Sequence, residues 1–577
     1  MRHFLPHFIQ ENYRNSLLQG RLSAFTMFVD LSGFTRLTES LMQQGAAGAE
    51  QLSVALNYIF QPTVALVYQQ GGFIPYFAGD SFTAIFQISP LDDAQPDSAH
   101  LPSLGDMGLM AQRVLQTAHA ILDRFVRELQ DPESLLAEHQ IGIKIGLSVG
   151  TVEWGIVGDR HKAYYFRGQA IEGCSQAQVR AQSLEAVCDE AFSPYLHPLG
   201  LDAHVVEEGF LKIDLSKLSP LPPGPLPQAP ALPEPDPQVA AAFLPREVFE
   251  NQGIGEFRNV VSVFLSFDGV DTHAALNHFC TVVLEQCANF GGYLKEIDFG
   301  DKGGVIFSIF GAPISFENNV ERALEFIVAV QDELQDLESL TGARYRIGLA
   351  SGLAFAGVIG SQERCQYAAA GARVNLGARL MMKAAWGEVM ADENVQKNRN
   401  FKFNHRGEGY YKGFEKPIPS YVLVGRNLAG RASFSGDYFG RETELQQLAD
   451  FAAPLRRGEF AGVAYVFGEA GIGKSRMSFE LRRRLRESMA LSWFTCSSDQ
   501  ILRKPFNPFI YFLKNYFDQS PENTLSRNRE LFEQNFIELQ YELTESTHPE
   551  ADAVRREINR PQSVLAAMLG IQYPGSL

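Results

Sequence analysis

Cysteine is scarce in this chain of 577 residues. Its six cysteines (Cys174, Cys188, Cys280, Cys287, Cys365, Cys496) are scattered, with no CxxC pair. That excludes a disulfide framework and is the usage of a reducing compartment, so a cytoplasmic location is expected. Basic charge is also in deficit. The chain has 50 Lys and Arg against 67 Asp and Glu, a net charge of −17. A general binder of nucleic acid or of an anionic membrane needs a basic surface, so neither partner is expected. Long apolar runs are missing, and none approaches the ~20 residues of a membrane helix. Met1–Gln10 is biased toward apolar residues, but Pro6 and His7 interrupt it and it lacks the apolar core of a signal peptide. The twelve histidines form no metal-spaced cluster. His273 and His278 read as helix-surface residues, and no Ser-His-Asp or Cys-His arrangement emerges.

What is present is a repeat. At ~150 residues per domain the length allows three or four domains. Pro220–Pro237 holds nine prolines in 18 positions, the composition of an extended polyproline spacer. On either side the same pattern recurs. Ala24–Val29 leads into Asp30-Leu31-Ser32-Gly33-Phe34, and Val260–Leu265 leads into Ser266-Phe267-Asp268-Gly269-Val270. Each is followed by a helical stretch and a Gly-Gly pair (Gly71-Gly72; Gly291-Gly292). Then comes a short strand pair, around Phe77-Ala78-Gly79-Asp80 and Phe299–Gly304. After another helix, strands Ile143–Gly150 and Tyr345–Gly352 run to Val157-Gly158 and Ile359-Gly360. Alternating strands and helices predict an α+β or α/β layer fold, with two copies paired inside one chain.

Asp30 ends an apolar strand and Asp80 follows Gly79 in a tight turn. Two carboxylates at strand ends can hold two magnesium ions that bridge nucleotide phosphates. Ser32 and Gly33 are small enough to let backbone amides approach a triphosphate. In the second copy, Asn375 and Arg379 are four apart, which puts them on one helix face. The copies differ reciprocally. Ser266 stands for Asp30 and Gly304 for Asp80, whereas Glu172 and Gln176 stand for Asn375 and Arg379. Each copy lacks what the other keeps, which predicts one competent site and one degenerate site.

The segments Phe28-Val29-Asp30-Leu31-Ser32-Gly33-Phe34-Thr35, Phe77-Ala78-Gly79-Asp80 and Ala370–Arg379 resemble the class III nucleotidyl cyclases. Tandem cyclase domains followed by a P-loop module resemble the soluble adenylyl cyclases. The resemblance implies two domains, each with a central antiparallel-rich sheet and flanking helices, sharing one site. It implies Asp30, Asp80 and the Leu31 backbone at two Mg²⁺ or Mn²⁺ ions, and Ser32, Gly33, Phe34 and Thr35 at the phosphates. Asn375 orients the ribose and Arg379 neutralises the transition state. Lys295, with Asp298, reads the base, and Lys144 and Lys412 meet the triphosphate. The expected activity is conversion of ATP to cyclic AMP and pyrophosphate, serving intracellular signalling. Ala368 departs from the family's Thr or Asp and offers no side-chain hydrogen bond, which leaves guanylate cyclase as an alternative. Tyr76 and Ser175 replace the Lys and Arg of the family's bicarbonate pocket, so bicarbonate activation is not expected.

A separate motif, Gly468-Glu469-Ala470-Gly471-Ile472-Gly473-Lys474-Ser475, matches GxxxxGK[ST] after a predicted strand, Val463–Phe467. Its glycine amides, Lys474 and Ser475 are the expected holders of a second ATP with magnesium. No Walker B strand follows before Leu577, so a partial ATPase core is expected, together with a regulatory partner for this module. A regulatory ATPase with inactive cyclase-like sensor domains is a further alternative. The expected boundaries are 1–218, cyclase domain 1; 219–244, linker; 245–425, cyclase domain 2; and 426–577, P-loop module.

Overall fold

The computed structural model describes residues 3–571 apart from 43–45, 92–103, 220–231, 233, 251–254, 301–302, 412–413, 415, 428–437, 439, 469–472, 490, 495, 497–505, 520–524 and 560–561. Two compact units divide the chain, Met1–Arg426 and Asn427–Leu577.

The first unit contains both repeats. Repeat one runs α1 (His7–Arg14), β1 (Gln19–Ser32), α2 (Phe34–Met42), α3 (Ala46–Gln69), β2 (Phe77–Ala78), β3 (Ser81–Leu91), α4 (Leu104–Gln130) and α5 (Leu135–His139). It continues through β4 (Gly142–Val157), β5 (Ala163–Arg167), α6 (Gln169–Arg180), β6 (Glu185–Asp189), β7 (Ala203–Glu207) and β8 (Phe210–Ile213). Helices α7 (Pro237–Phe243) and α8 (Arg246–Glu250) precede repeat two. That repeat runs β9 (Glu256–Asp268), α9 (His273–Asn289), β10 (Tyr293–Gly300), β11 (Gly303–Phe310), α10 (Asn319–Thr341), β12 (Arg344–Gly360) and β13 (Cys365–Ala370). It ends with α11 (Ala372–Lys383), β14 (Val389–Asp392), α12 (Glu393–Gln396), β15 (Phe401–Gly409) and β16 (Ile418–Arg426).

Each repeat builds one eight-stranded sheet, and the two orders match: β2-β3-β1-β4-β6-β8-β7 and β10-β11-β9-β12-β14-β16-β15, with β5 on β4 and β13 on β12. Neighbours are antiparallel except β4/β6 and β12/β14. The central strand β1 carries a buried apolar stretch that packs between the sheet's helices, with Ala24, Phe25 and Met27 fully buried. The two repeats share apolar packing. Phe355, Ile359, Ala368 and Ala370 of repeat two join the core of repeat one.

Arg364 seals this junction and is wholly buried. Its Nε donates to the Ile74 carbonyl at 3.0 Å, one Nη to the Phe4 carbonyl at 2.7 Å and the other to the Tyr164 hydroxyl at 3.0 Å. It also donates to the carbonyls of Pro75 and Cys365. All five guanidinium hydrogens thus find acceptors without a carboxylate. The N-terminal segment joins in, the Cys365 amide donating to the His3 carbonyl at 2.8 Å.

Two expectations need correction here. The expected linker 219–244 is not spacer throughout. Asp236 caps α7 by accepting from the amides of Gln238 and Val239, and Val239 and Phe243 are buried in the core of repeat one. Most of the proline run lies outside the described residues. His273 is half-buried rather than fully exposed, and its Nδ1 lies 3.1 Å from the Tyr165 hydroxyl across the junction of the repeats.

The second unit contains α13 (Glu442–Phe451), α14 (Lys474–Ser488), α15 (Asn507–Tyr516), α16 (Leu525–Glu545), α17 (Ala551–Asn559) and α18 (Gln562–Met568). Val463–Phe467, the predicted strand, is not one. Its residues form no ladder, and Tyr465 and Phe467 are both 88% exposed. A strand needs a hydrogen-bonding neighbour, and no strand lies among the described residues of this unit. Among the described residues no helix is long and apolar enough to cross a membrane.

Candidate active site

Asp30 is the antepenultimate residue of β1, opposite Ser81 of β3 and Lys144 of β4. Its Oδ2 accepts from Gln178 Nε2 on α6 at 2.8 Å. The Gly79-Asp80 turn joins β2 to β3, with Gly79 at φ +69°. The Asp80 carbonyl accepts from the Leu31 amide at 3.2 Å. One backbone hydrogen bond therefore ties the two aspartate-bearing segments together. Lys144 also pairs across to Glu185 on β6, which places its backbone between two carboxylate-bearing strands.

The chain then turns sharply at Gly33, whose φ is +92°. A Cβ there would lie 2.8 Å from the Gln140 carbonyl oxygen, so glycine is needed for conformation and for space. Helix α2 starts at Phe34, and the amides of its first turn lack intrahelical acceptors. Such an end favours an anion. Ser32 Oγ lies 3.2 Å from Ser183 Oγ.

Repeat two meets this region through β10. Lys295 is buried, and its Nζ donates to the Phe77 carbonyl at 2.5 Å, three residues before Asp80. The same ammonium pairs with Glu296 at 2.6 Å. Burial pushes the Glu296 carboxyl above the usual range, against the pull of Lys295. Gln366 closes the link, accepting from the Phe77 amide at 2.8 Å and donating to the Lys295 carbonyl at 3.2 Å. Asp298 lies three residues further along β10, half-buried, and Ala368 is fully buried on β13. Asn375 and Arg379 are one turn apart on α11, both half-buried, and burial lowers the pKa of Arg379. Lys412 lies outside the described residues.

The ladders fix the correspondence between repeats. Asp30 faces Lys144 as Ser266 faces Arg346, and Asp30 faces Ser81 as Ser266 faces Val305. Gly304 precedes Val305 as Asp80 precedes Ser81. Helices α6 and α11 both start after a glycine cap, Gly168 and Gly371, so Glu172 and Gln176 occupy the places of Asn375 and Arg379. Both are exposed. The locus around Ser266 and Gly304 is packed with rings. Phe299 lies 5.6 Å from Tyr165 and 5.7 Å from Phe267, and a Cβ on Gly304 would meet the Phe267 ring at 2.4 Å. Tyr76 is buried too, and burial holds its hydroxyl well above its ordinary pKa.

Residues 21–209 and 256–425 match the sequence profile of the adenylate and guanylate cyclase catalytic domain. The chain belongs to that family. Residues 438–570 match the AAA ATPase domain. Adenylate cyclase type 10 of Mus musculus is 26% identical over 510 residues, covering 79% of this chain and 30% of the relative. That of Homo sapiens is 27% identical over 514 residues, with the same coverage. The chain thus spans about 30% of the length of these relatives. A class III adenylyl cyclase-like ATP-binding protein from Pseudomonas aeruginosa is a solved structure 11% identical, covering 65% of this chain and 85% of its own, with a TM-score of 0.43.

Among the described residues no group of three or more His, Cys, Asp or Glu side chains could hold a metal alone. The paired Asp30 and Asp80 still fit a nucleotide-bound magnesium, which takes one or two carboxylates and completes its shell with phosphates and water. In the P-loop, Lys474 Nζ donates to the Gly468 carbonyl at 2.8 Å, and Gly473 and Ser475 open α14. Glu469–Ile472, including Gly471, lies outside the described residues.

Proposed function

We propose that this cyclase converts ATP to cyclic AMP and pyrophosphate at one site shared by its two repeats. The reading rests on reciprocal retention: Asp30 and Asp80 in one repeat, Asn375 and Arg379 in the other, each set replaced at the matching positions of its counterpart. An idle pair of repeats has no chemical reason to lose residues in this complementary way.

Asp30 and Asp80, with the Leu31 backbone, would hold two divalent cations. When bound, these lower the pKa of the attacking hydroxyl and stabilise charge on the phosphates. The ribose 3′-hydroxyl releases its proton to solvent as its oxygen bonds to the α-phosphorus, the bond from that phosphorus to the bridging oxygen breaks, and pyrophosphate leaves. Ser32, Gly33, Phe34 and Thr35 receive phosphate oxygens at the start of α2, with Lys144 and Lys412 as neighbouring cations. Asn375 holds the ribose, and Arg379 stabilises the charge that develops in flight. Lys295 and Asp298 read the base beside Ala368. Lys474, Ser475, Gly468, Gly471 and Gly473 hold a second nucleotide in the P-loop module, which serves regulation.

Guanylate cyclase is a second reading, favoured by the buried Ala368, which cannot bond a base through its side chain. The test is product analysis of purified chain with ATP or GTP and Mg²⁺ or Mn²⁺, beside D30A. Cyclic AMP from the parent and none from D30A is the expected result. Cyclic GMP would keep the mechanism and overturn the base assignment. Nucleotide binding without any cyclic product would overturn the reading in favour of inactive sensor domains.

A further inference from the structure

The side chain that touches Asp30 was not among the residues the motifs suggested. Gln178 sits late on α6, 8% exposed, and its Nε2 donates to Asp30 Oδ2 at 2.8 Å across 148 residues of sequence. The contact depends on how closely α6 lies on β4. At Gly146 of β4 a Cβ would fall 2.0 Å from the Cys174 carbonyl and 2.4 Å from the Gln178 amide. Only glycine lets the helix sink far enough for the Gln178 amide to reach β1.

The second repeat supplies an internal comparison. Its helix α11 closes on Gly348 in the same way, with a Cβ there falling 2.0 Å from the Met381 amide. Met381 occupies the position of Gln178, nine residues after the first residue of its helix in each case. Ser266 stands in place of Asp30 in that repeat, with its Oγ buried and without a hydrogen-bond partner among the described residues. The backbone scaffold is the same in both repeats. The carboxamide is present where the carboxylate is present and absent where it is absent.

We infer that Gln178 is a positioning residue for the Asp30 carboxylate and thereby sets the affinity of the site for its divalent cation. The inference rests on the reading of Asp30 as a metal ligand. A neutral amide suits the role. It fixes the plane of the carboxylate through one oxygen without cancelling its charge, whereas a lysine or arginine there would compete with the cation. Outer partners of this kind typically change metal affinity 10–100-fold when removed.

The decisive variant is Q178M, which copies the packing of the second repeat and deletes the donor; Q178L guards against an idiosyncratic fit of Met. In a K474A background, which removes the P-loop nucleotide, Mn²⁺ binding is followed by the electron paramagnetic resonance of free Mn²⁺ in the presence of a non-cyclising ATP analogue, with the analogue alone as the blank. Thermal unfolding is measured alongside, with D30A as reference. The expected result is Mn²⁺ binding weakened at least about 10-fold in both variants at unchanged melting temperature. In turnover, the Mn²⁺ concentration for half-maximal rate rises while the rate at saturating Mn²⁺ recovers. If Q178M and Q178L bind Mn²⁺ like the parent while D30A does not, the inference fails and the metal site stands. If D30A itself binds Mn²⁺ like the parent, the metal reading fails and this inference with it.

Discussion

Asp392 ends β14 with no exposed surface. Its carboxylate accepts from Arg373 at 3.0 Å and from the amide of Val395 at 3.1 Å, so it ties the start of α11 to the start of α12. Burial outweighs these partners and raises its pKa from 3.8 to about 6. Between those values the folded state binds a proton that the unfolded state has released. Asp392 therefore adds stability below about pH 4, and that contribution is lost as pH rises through about 6. The shift is of order 3 kcal/mol. D392N is expected to remove this component: the difference in unfolding free energy between parent and D392N should change with pH between 4 and 6 and be flat above 7, as read by urea titrations. Gly146 offers a second residue-scale test. G146A must lift α6 from β4, with an expected loss of at least ~2 kcal/mol from overpacking. It should also weaken Mn²⁺ binding, because the lift withdraws Gln178 from Asp30. At this scale, legibility followed distance along the chain. Asp30, Asp80, Asn375 and Arg379 announce themselves through neighbours a few positions away. Gln178 and Arg364 act across 148 and 290 residues, and no local pattern carries such a contact.

At the scale of elements, one side chain, Arg364, bridges β13, the N-terminal segment and the chain before β2. Replacing Arg364 by Met keeps the bulk but takes the donor from the carbonyls of Phe4 and Ile74 in a dry interior, while the Pro75 carbonyl keeps the Tyr164 hydroxyl at 2.9 Å. Each unsatisfied buried acceptor costs about 1–3 kcal/mol, so R364M is expected to lower stability by at least ~2 kcal/mol in chemical denaturation. It should also raise the KM for nucleotide, because Ile74 and Pro75 lead directly into Tyr76 and Phe77, where Lys295 is anchored. An unchanged midpoint would mean that other contacts hold the junction. The strands β1, β4, β9 and β12 were legible because a buried central strand is an apolar run bounded by turn residues. Val463–Phe467 has the same composition and is not a strand. Composition records a preference for extended backbone, but a ladder also needs a partner that sequence statistics do not contain. Helix α7 was hidden for the opposite reason, since proline density dominated the segment and Asp236 with Pro237 supplied a helix start inside it.

For the whole molecule, the matching sheet orders turn a sequence repeat into a structural identity. Register makes the reciprocal losses interpretable position by position. The ring packing around Phe267 and Phe299 gives a stoichiometric expectation. With the P-loop disabled by K474A, isothermal titration with an ATP analogue and Mn²⁺ should show one nucleotide per chain, and K474A combined with D30A should lose most of that binding. Two equivalents in K474A would mean that the rings at Phe267 and Phe299 move aside. On the proposed function, both halves of the site lie in one covalent chain. Cyclases assembled from separate subunits must lose activity as they are diluted below their dissociation constant, but here the second half-site travels with the first at an effective concentration in the millimolar range. Turnover per molecule should therefore be constant from micromolar enzyme to the single-molecule limit.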